Sequence, residues 1–244
     1  MIELVSFIVL IFLLSYFRTQ IAFLIQGISL LVFERAKPGV IFYSILFLPG
    51  ILIHELSHLL TAELLGIRTG RINIFPTEIK AGNTEGTFGV KMGFVESEET
   101  DPFRETLIGS APFLVGLFLI TVIVFMRFSA LDSIFSSEKI LNLTSILLLY
   151  LIFSVGNTMF VSEEDKRGWW FIPMILVIVL AFIYGFRIRL NLEGVLSAGV
   201  KNLQFVNRAL FLCLGLDVFF LVGLFLIRKA IESLTGKRLL TKTG

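Results

Sequence analysis

The chain has 244 residues, of which 56% are hydrophobic and only 16% charged, with a formal net charge of +2. A soluble domain carries about a quarter charged residues, so this composition, with a mean hydropathy of +0.90 and charges gathered between long apolar runs, excludes a soluble core. The small net charge and the lack of a basic–aromatic patch argue against nucleic-acid binding, and a single cysteine, Cys213, excludes a disulfide framework and a cysteine-based metal site. The expected fold is an all-α polytopic membrane protein, one domain over 1–244, with about six transmembrane helices and a small membrane-associated β insert after the second span.

Residues 2–33 form the first apolar block, interrupted by Arg18 and Gln20. It reads as one long helix or as a span followed by an interfacial helix. The start lacks the basic region and small-residue cleavage site of a signal peptide, so a retained span is expected. A polar break at 34–38 precedes a second span over 39–65, with Gly66 placed to cap it. The polar insert, 67–103, contains "TFGVKMGF", in which Phe88, Val90, Met92 and Phe94 alternate with Gly89, Lys91 and Gly93. That period of two predicts a sheet of two to four strands at the membrane surface. Further spans are expected at 105–126, 140–161, 169–186 and 206–227, with Trp169 and Trp170 in an interfacial belt. Asn142-Leu143-Thr144 matches a glycosylation acceptor, a triplet common by chance. The basic tail, 228–244, favours a cytoplasmic C-terminus. Six spans then put the insert and the 162–168 loop on that side.

The second span carries the only two histidines, in "HELSH": His54, Glu55 and His58. Four helical residues advance about 400° and ~6 Å, so both imidazoles share one face. Imidazole suits zinc, and a catalytic zinc keeps three protein ligands and a water. Glu55 is then the general base that takes the water's proton and returns it to the leaving amine. Ionisable groups at membrane depth are expensive and mark functional sites. A third ligand must come from elsewhere, and the residues leave Glu63, Asp165 (with Glu163 and Glu164 beside it) and Asp217 open. Asp217 could instead pair with Arg208 or with a backbone group.

The stretch "HELSHLLTAELLGIRTGRINIFP" resembles the site-2 protease family of intramembrane zinc metalloproteases. Members carry His-Glu-x-x-His in a transmembrane helix followed by a β insert, and an aspartate on a later helix, preceded by an asparagine, as third ligand. The resemblance spans about residues 39–170. It implies one zinc ion per chain held by His54, His58 and Asp165, with Glu55 as catalytic base and Asn157 as the asparagine near substrate. An interhelical hydrogen bond is the alternative role for Asn157. Pro112, in "IGSAPFLVG", sits where the family has a Gly-Pro-containing start to its third core span. This chain departs from the pattern in having Lys166 and Arg167, not glycine, directly after Asp165. The insert is too short for a PDZ-like domain.

The implied activity is hydrolysis of a peptide bond in a transmembrane protein substrate within the lipid bilayer. Capture of an unwound substrate segment along the 87–94 strand edge stands beside a re-entrant hairpin that plugs or anchors the site. Control by a separate membrane partner is expected. The other functions the residues admit are an inactive scaffold or regulator of the same fold and a metal-handling transporter. Retention of Glu55 argues against the first. The scarcity of polar groups on the other spans argues against the second.

Overall fold

The computed structural model describes residues 2–73, 77–80, 88–91, 94–97, 100–128, 142–162, 165–166, 173–174, 177 and 192–237. The first apolar block is one uninterrupted helix, α1 (Ile2–Phe33). Glu34, at φ 56°, turns the chain back into α2 (Lys37–Leu46), which leads into α3 (Leu48–Leu64). α2 and α3 are bent by 75°, so the histidine-bearing segment is a broken pair and not the continuous span expected over 39–65.

The cause of the break is local. Pro49 has no N–H to give Ile45, and its ring disfavours helical geometry before it. Two further groups leave the helical ladder at the break, and each finds a partner on α5 (Leu143–Thr158). The Gly50 N–H, which would bond Leu46 in a continuous helix, donates to Ser154 Oγ at 2.9 Å. The Leu46 carbonyl accepts from the Tyr150 hydroxyl at 2.7 Å. Tyr150 and Ser154 lie one turn apart on α5 and splint the bend, as broken backbone in a bilayer requires. Phe47, at the vertex, is fully buried against Tyr43 and Phe153, with ring centroids 4.4 and 5.2 Å away.

α3 ends as the sequence predicts. Gly66 takes φ 75°, its N–H bonds the Glu63 carbonyl, and the Ile67 N–H reaches back to Ala62, which is a Schellman cap. The insert forms β1 (Thr69–Asn73), β2 (Thr77–Lys80), β3 (Phe88–Lys91) and β4 (Phe94–Ser97). β1 pairs antiparallel with β4 and β2 with β3. The pairing is nested, so the insert is one two-stranded ribbon in two pieces, with its base at α3 and α4 (Pro102–Phe128). α4 keeps Pro112 inside it. Asn142, the first residue of the glycosylation-like triplet, caps α5 by accepting from the Thr144 N–H at 3.3 Å, the role asparagine plays at a helix start.

The last helix, α6 (Leu192–Thr235), runs beyond the expected 206–227 and takes in the first half of the basic tail. It lies parallel to α1: Glu3 accepts from Gln204 and Asn207 at one end, and Glu34 pairs with Lys237 at the other. Two buried clusters fill the interior. One joins Leu10, Leu14, Ile120, Ile152, Val155 and Leu210, and the other Ile21, Leu24, Phe47, Ile51, Phe153 and Leu224. α1, α5 and α6 each contribute to both.

The chain is mostly helical, and its outward faces are apolar: Phe12, Phe118, Met126 and Phe219 are all exposed. Among the described residues, α1, 102–127 of α4 and 202–235 of α6 are long and apolar enough to cross a membrane, and the bent α2–α3 pair is a fourth candidate. α5, at 16 residues, is about 24 Å long and falls short of a full span. Six spans were expected; the Trp169–Trp170 belt and all of the span at 169–186 except residues 173–174 and 177 lie outside the described residues.

Candidate metal centre

α3 presents His54 and His58 on one face, with their Nε2 atoms 3.2 Å apart. The opposite nitrogen of each ring meets a backbone carbonyl. His54 Nδ1 lies 2.7 Å from the Thr158 oxygen and His58 Nδ1 2.9 Å from that of Ile108. A carbonyl only accepts, so Nδ1 carries the hydrogen on both rings and Nε2 of each neutral ring is left with a lone pair.

Both carbonyls are available for reasons written in the local sequence. Thr158 is the last residue of α5, where carbonyls have no helical partner. Ile108 lies four residues before Pro112, which has no N–H to give it. The proline that the resemblance singled out therefore frees the oxygen that orients His58.

Asp165 completes the group from the turn after α5. Its Oδ1 is 3.3 Å from His58 Nε2 and its Oδ2 3.8 Å from His54 Nε2. The turn holds itself: the Ser162 N–H donates to Asp165 Oδ2 at 2.8 Å, and the Asp165 N–H donates to Ser162 Oγ. Gly109 of α4 is its seat, since a Cβ there would collide with the Asp165 carbonyl. Burial by itself would raise the Asp165 carboxyl. Its contacts with the His54 and His58 rings and with Ser162 outweigh that and hold it well below the usual carboxylate range.

His54, His58 and Asp165 thus offer ligand atoms all within 4.8 Å of one another. Two imidazole lone pairs and a carboxylate facing each other could hold a shared cation, and the N₂O donor set with both Nδ1 atoms anchored fits the pattern of a zinc site. Neither Glu63 nor Asp217, the other candidates for third ligand, belongs to the group. Glu55 is 6% exposed and sits a residue beyond His54.

Asn157 and Asp217 meet each other instead. The Asn157 amide donates to Asp217 Oδ1 at 2.7 Å and to the Phe153 carbonyl at 3.0 Å, and both side chains are 1% exposed. This ties α5 to α6, the interhelical role weighed for Asn157, one residue before the carbonyl that orients His54. Asn157 Oδ1 has no partner among the described residues. Asp217 pairs with Asn157 and not with Arg208.

Sequence reasoning missed Tyr150, Ser154 and Gly109. Pro49 was a readable sign of the break, but the side chains that splint it lie 104 residues away. Comparison of the chain with family models, with curated proteins and with solved structures returns no match.

Proposed function

We propose that the protein is an intramembrane zinc endopeptidase, similar to the site-2 protease family, that hydrolyses a peptide bond in a membrane-anchored protein. The observation that carries this reading is the convergence of two oriented Nε2 atoms and the Asp165 carboxylate beside a buried glutamate. One zinc ion per chain, held by His54, His58 and Asp165, would supply Lewis acidity and bring a bound water's pKa towards neutrality. Glu55 takes the proton of the attacking water and hands it to the departing amine, so the products are a carboxylate and a free amine. A non-catalytic zinc has no use for that base, which separates this reading from an inert scaffold.

The chain's other groups serve geometry. Thr158 and Ile108 hold the rings, and Gly109 and Ser162 hold the carboxylate. The ribbon contributes an acceptor surface for substrate, because each of its two-stranded pieces leaves strand edges unpaired among the described residues. An unwound substrate segment added to such an edge keeps its amides bonded outside water. A multi-pass arrangement with the C-terminus in the cytoplasm accords with the basic residues at the shared end of α1 and α6. The deciding experiment reconstitutes the purified protein in vesicles with a single-span substrate. Cleavage by the wild type and its loss in Glu55→Gln, with zinc retained, supports the proposal. Equal processing by both proteins overturns it.

A further inference from the structure

We infer that α2 and α3 form a re-entrant pair, which enters the membrane and leaves it on the same side, so that the start of α1 and the end of α6 lie on opposite sides. The pair is long and apolar enough to be one broken crossing, but the contacts at its two ends decide against that. Entry is fixed by α1. Glu34, just past the end of that helix, pairs with Lys237, and α2 opens at Lys37, so α2 starts at the Lys237 end of the bundle. It then descends back along α1. The Gly39 N–H donates to Ser29 Oγ at 2.9 Å, and Tyr43 and Phe47, further along, pack with Ile21, Leu24 and Ile25.

Exit is fixed by α4. Its last turns reach the other end of the bundle, where the Phe125 and Phe205 rings meet edge to face with centroids 5.4 Å apart, close to the Asn207 that bonds Glu3. At 27 residues, α4 is about 40 Å long, so its start at Pro102 lies back at the Lys237 end. The pairing of Thr69 with Ser97 at the base of the ribbon joins the end of α3 to the start of α4. The His58–Ile108 contact at 2.9 Å continues that approach into the bundle. α3 therefore ends on the side where α2 began.

Two further features agree. The vertex frees the Gly50 N–H and the Leu46 carbonyl at membrane depth, and α5 partners both, the condition under which broken backbone is tolerated there. Cations flank both ends of the pair, Arg35 and Lys37 before it and Arg68 and Arg71 after it. A re-entrant pair gathers them on one face with Lys237, as the sorting of basic residues favours, whereas a crossing divides them. His58 and Ile108 are each six residues from that face (58 to 64 and 102 to 108). The metal centre then lies within about 9 Å of it. Neither the metal nor the proposed activity enters the topology.

The test is sidedness in sealed membrane vesicles of one orientation. Single cysteines replace Arg35, Arg68 or Lys237, all exposed, in the full chain on a Cys213→Ala background, and a protease-sensitive tag precedes Met1. Labelling by a membrane-impermeant maleimide is measured against full labelling after detergent solubilisation. Arg35→Cys, Arg68→Cys and Lys237→Cys should share one fate, all labelled or all protected, and the tag should show the opposite fate towards added protease. Any division among the three cysteines overturns the inference, a split between Arg35→Cys and Arg68→Cys being the mark of a complete crossing. A tag digested from the same side as the cysteines overturns it too.

Discussion

His54 and His58 each commit Nδ1 to a backbone carbonyl, and this fixes which nitrogen faces the centre. Replacing His54, His58 or Asp165 by alanine should remove zinc from the purified chain, measured as metal per protein by plasma mass spectrometry. Asp217→Asn should leave it in place, because Asp217 bonds Asn157 and not the histidines. Glu55→Gln should keep the metal and lose at least about 100-fold in cleavage rate, the usual contribution of a general base. Acid should release the metal as the pH falls below neutrality, since protons compete with it for both Nε2 atoms. Zinc retention after dialysis at successively lower pH tests the sign.

The elements meet where they do because small residues and freed backbone groups let them. Gly109→Ala changes no ligand, yet its Cβ would push on the Asp165 backbone. Zinc affinity should fall by about 10–100-fold, as it does when a ligand's support is disturbed, and competition with a calibrated chelator measures it. Ser154→Ala tests the splint. It leaves the Gly50 N–H without a partner inside an apolar interior, which costs about 1–3 kcal/mol. Thermal unfolding in detergent should register a lower midpoint for Ser154→Ala than for Ser162→Ala, where the affected turn is exposed.

At the scale of the whole molecule, α1 and α6 run parallel and bring Glu34 and Lys237 together. Single cysteines at Arg35 and Lys237, introduced on a Cys213→Ala background, should therefore label from the same side of sealed vesicles. Labelling from opposite sides would contradict the parallel arrangement. α5 ties the assembly together through Tyr150, Ser154, Asn157 and Thr158. The residues that support the metal centre and those that hold the bundle are thus consecutive turns of one helix.

Much of this was legible in the sequence, and each success has a local cause. Composition and apolar runs gave a mostly helical membrane protein. The His-Glu-x-x-His spacing put two imidazoles on one face. Gly66 marked its helix end, because a left-handed residue is needed there, and the alternation in the insert marked strands. The resemblance picked out Asp165 among three acids that the residues alone left open. The tertiary structure decided what depends on partners far along the chain. It put Asp165 against the histidines and Asp217 against Asn157. It bent the second span at Pro49 and supplied Tyr150 and Ser154 to hold the bend. It matched the carbonyls of Thr158 and Ile108 to the two rings. Periodicity reports which face a side chain takes, whereas the choice of partner is set by how helices approach, and that approach depends on glycines, freed carbonyls and packing contributed by several elements at once.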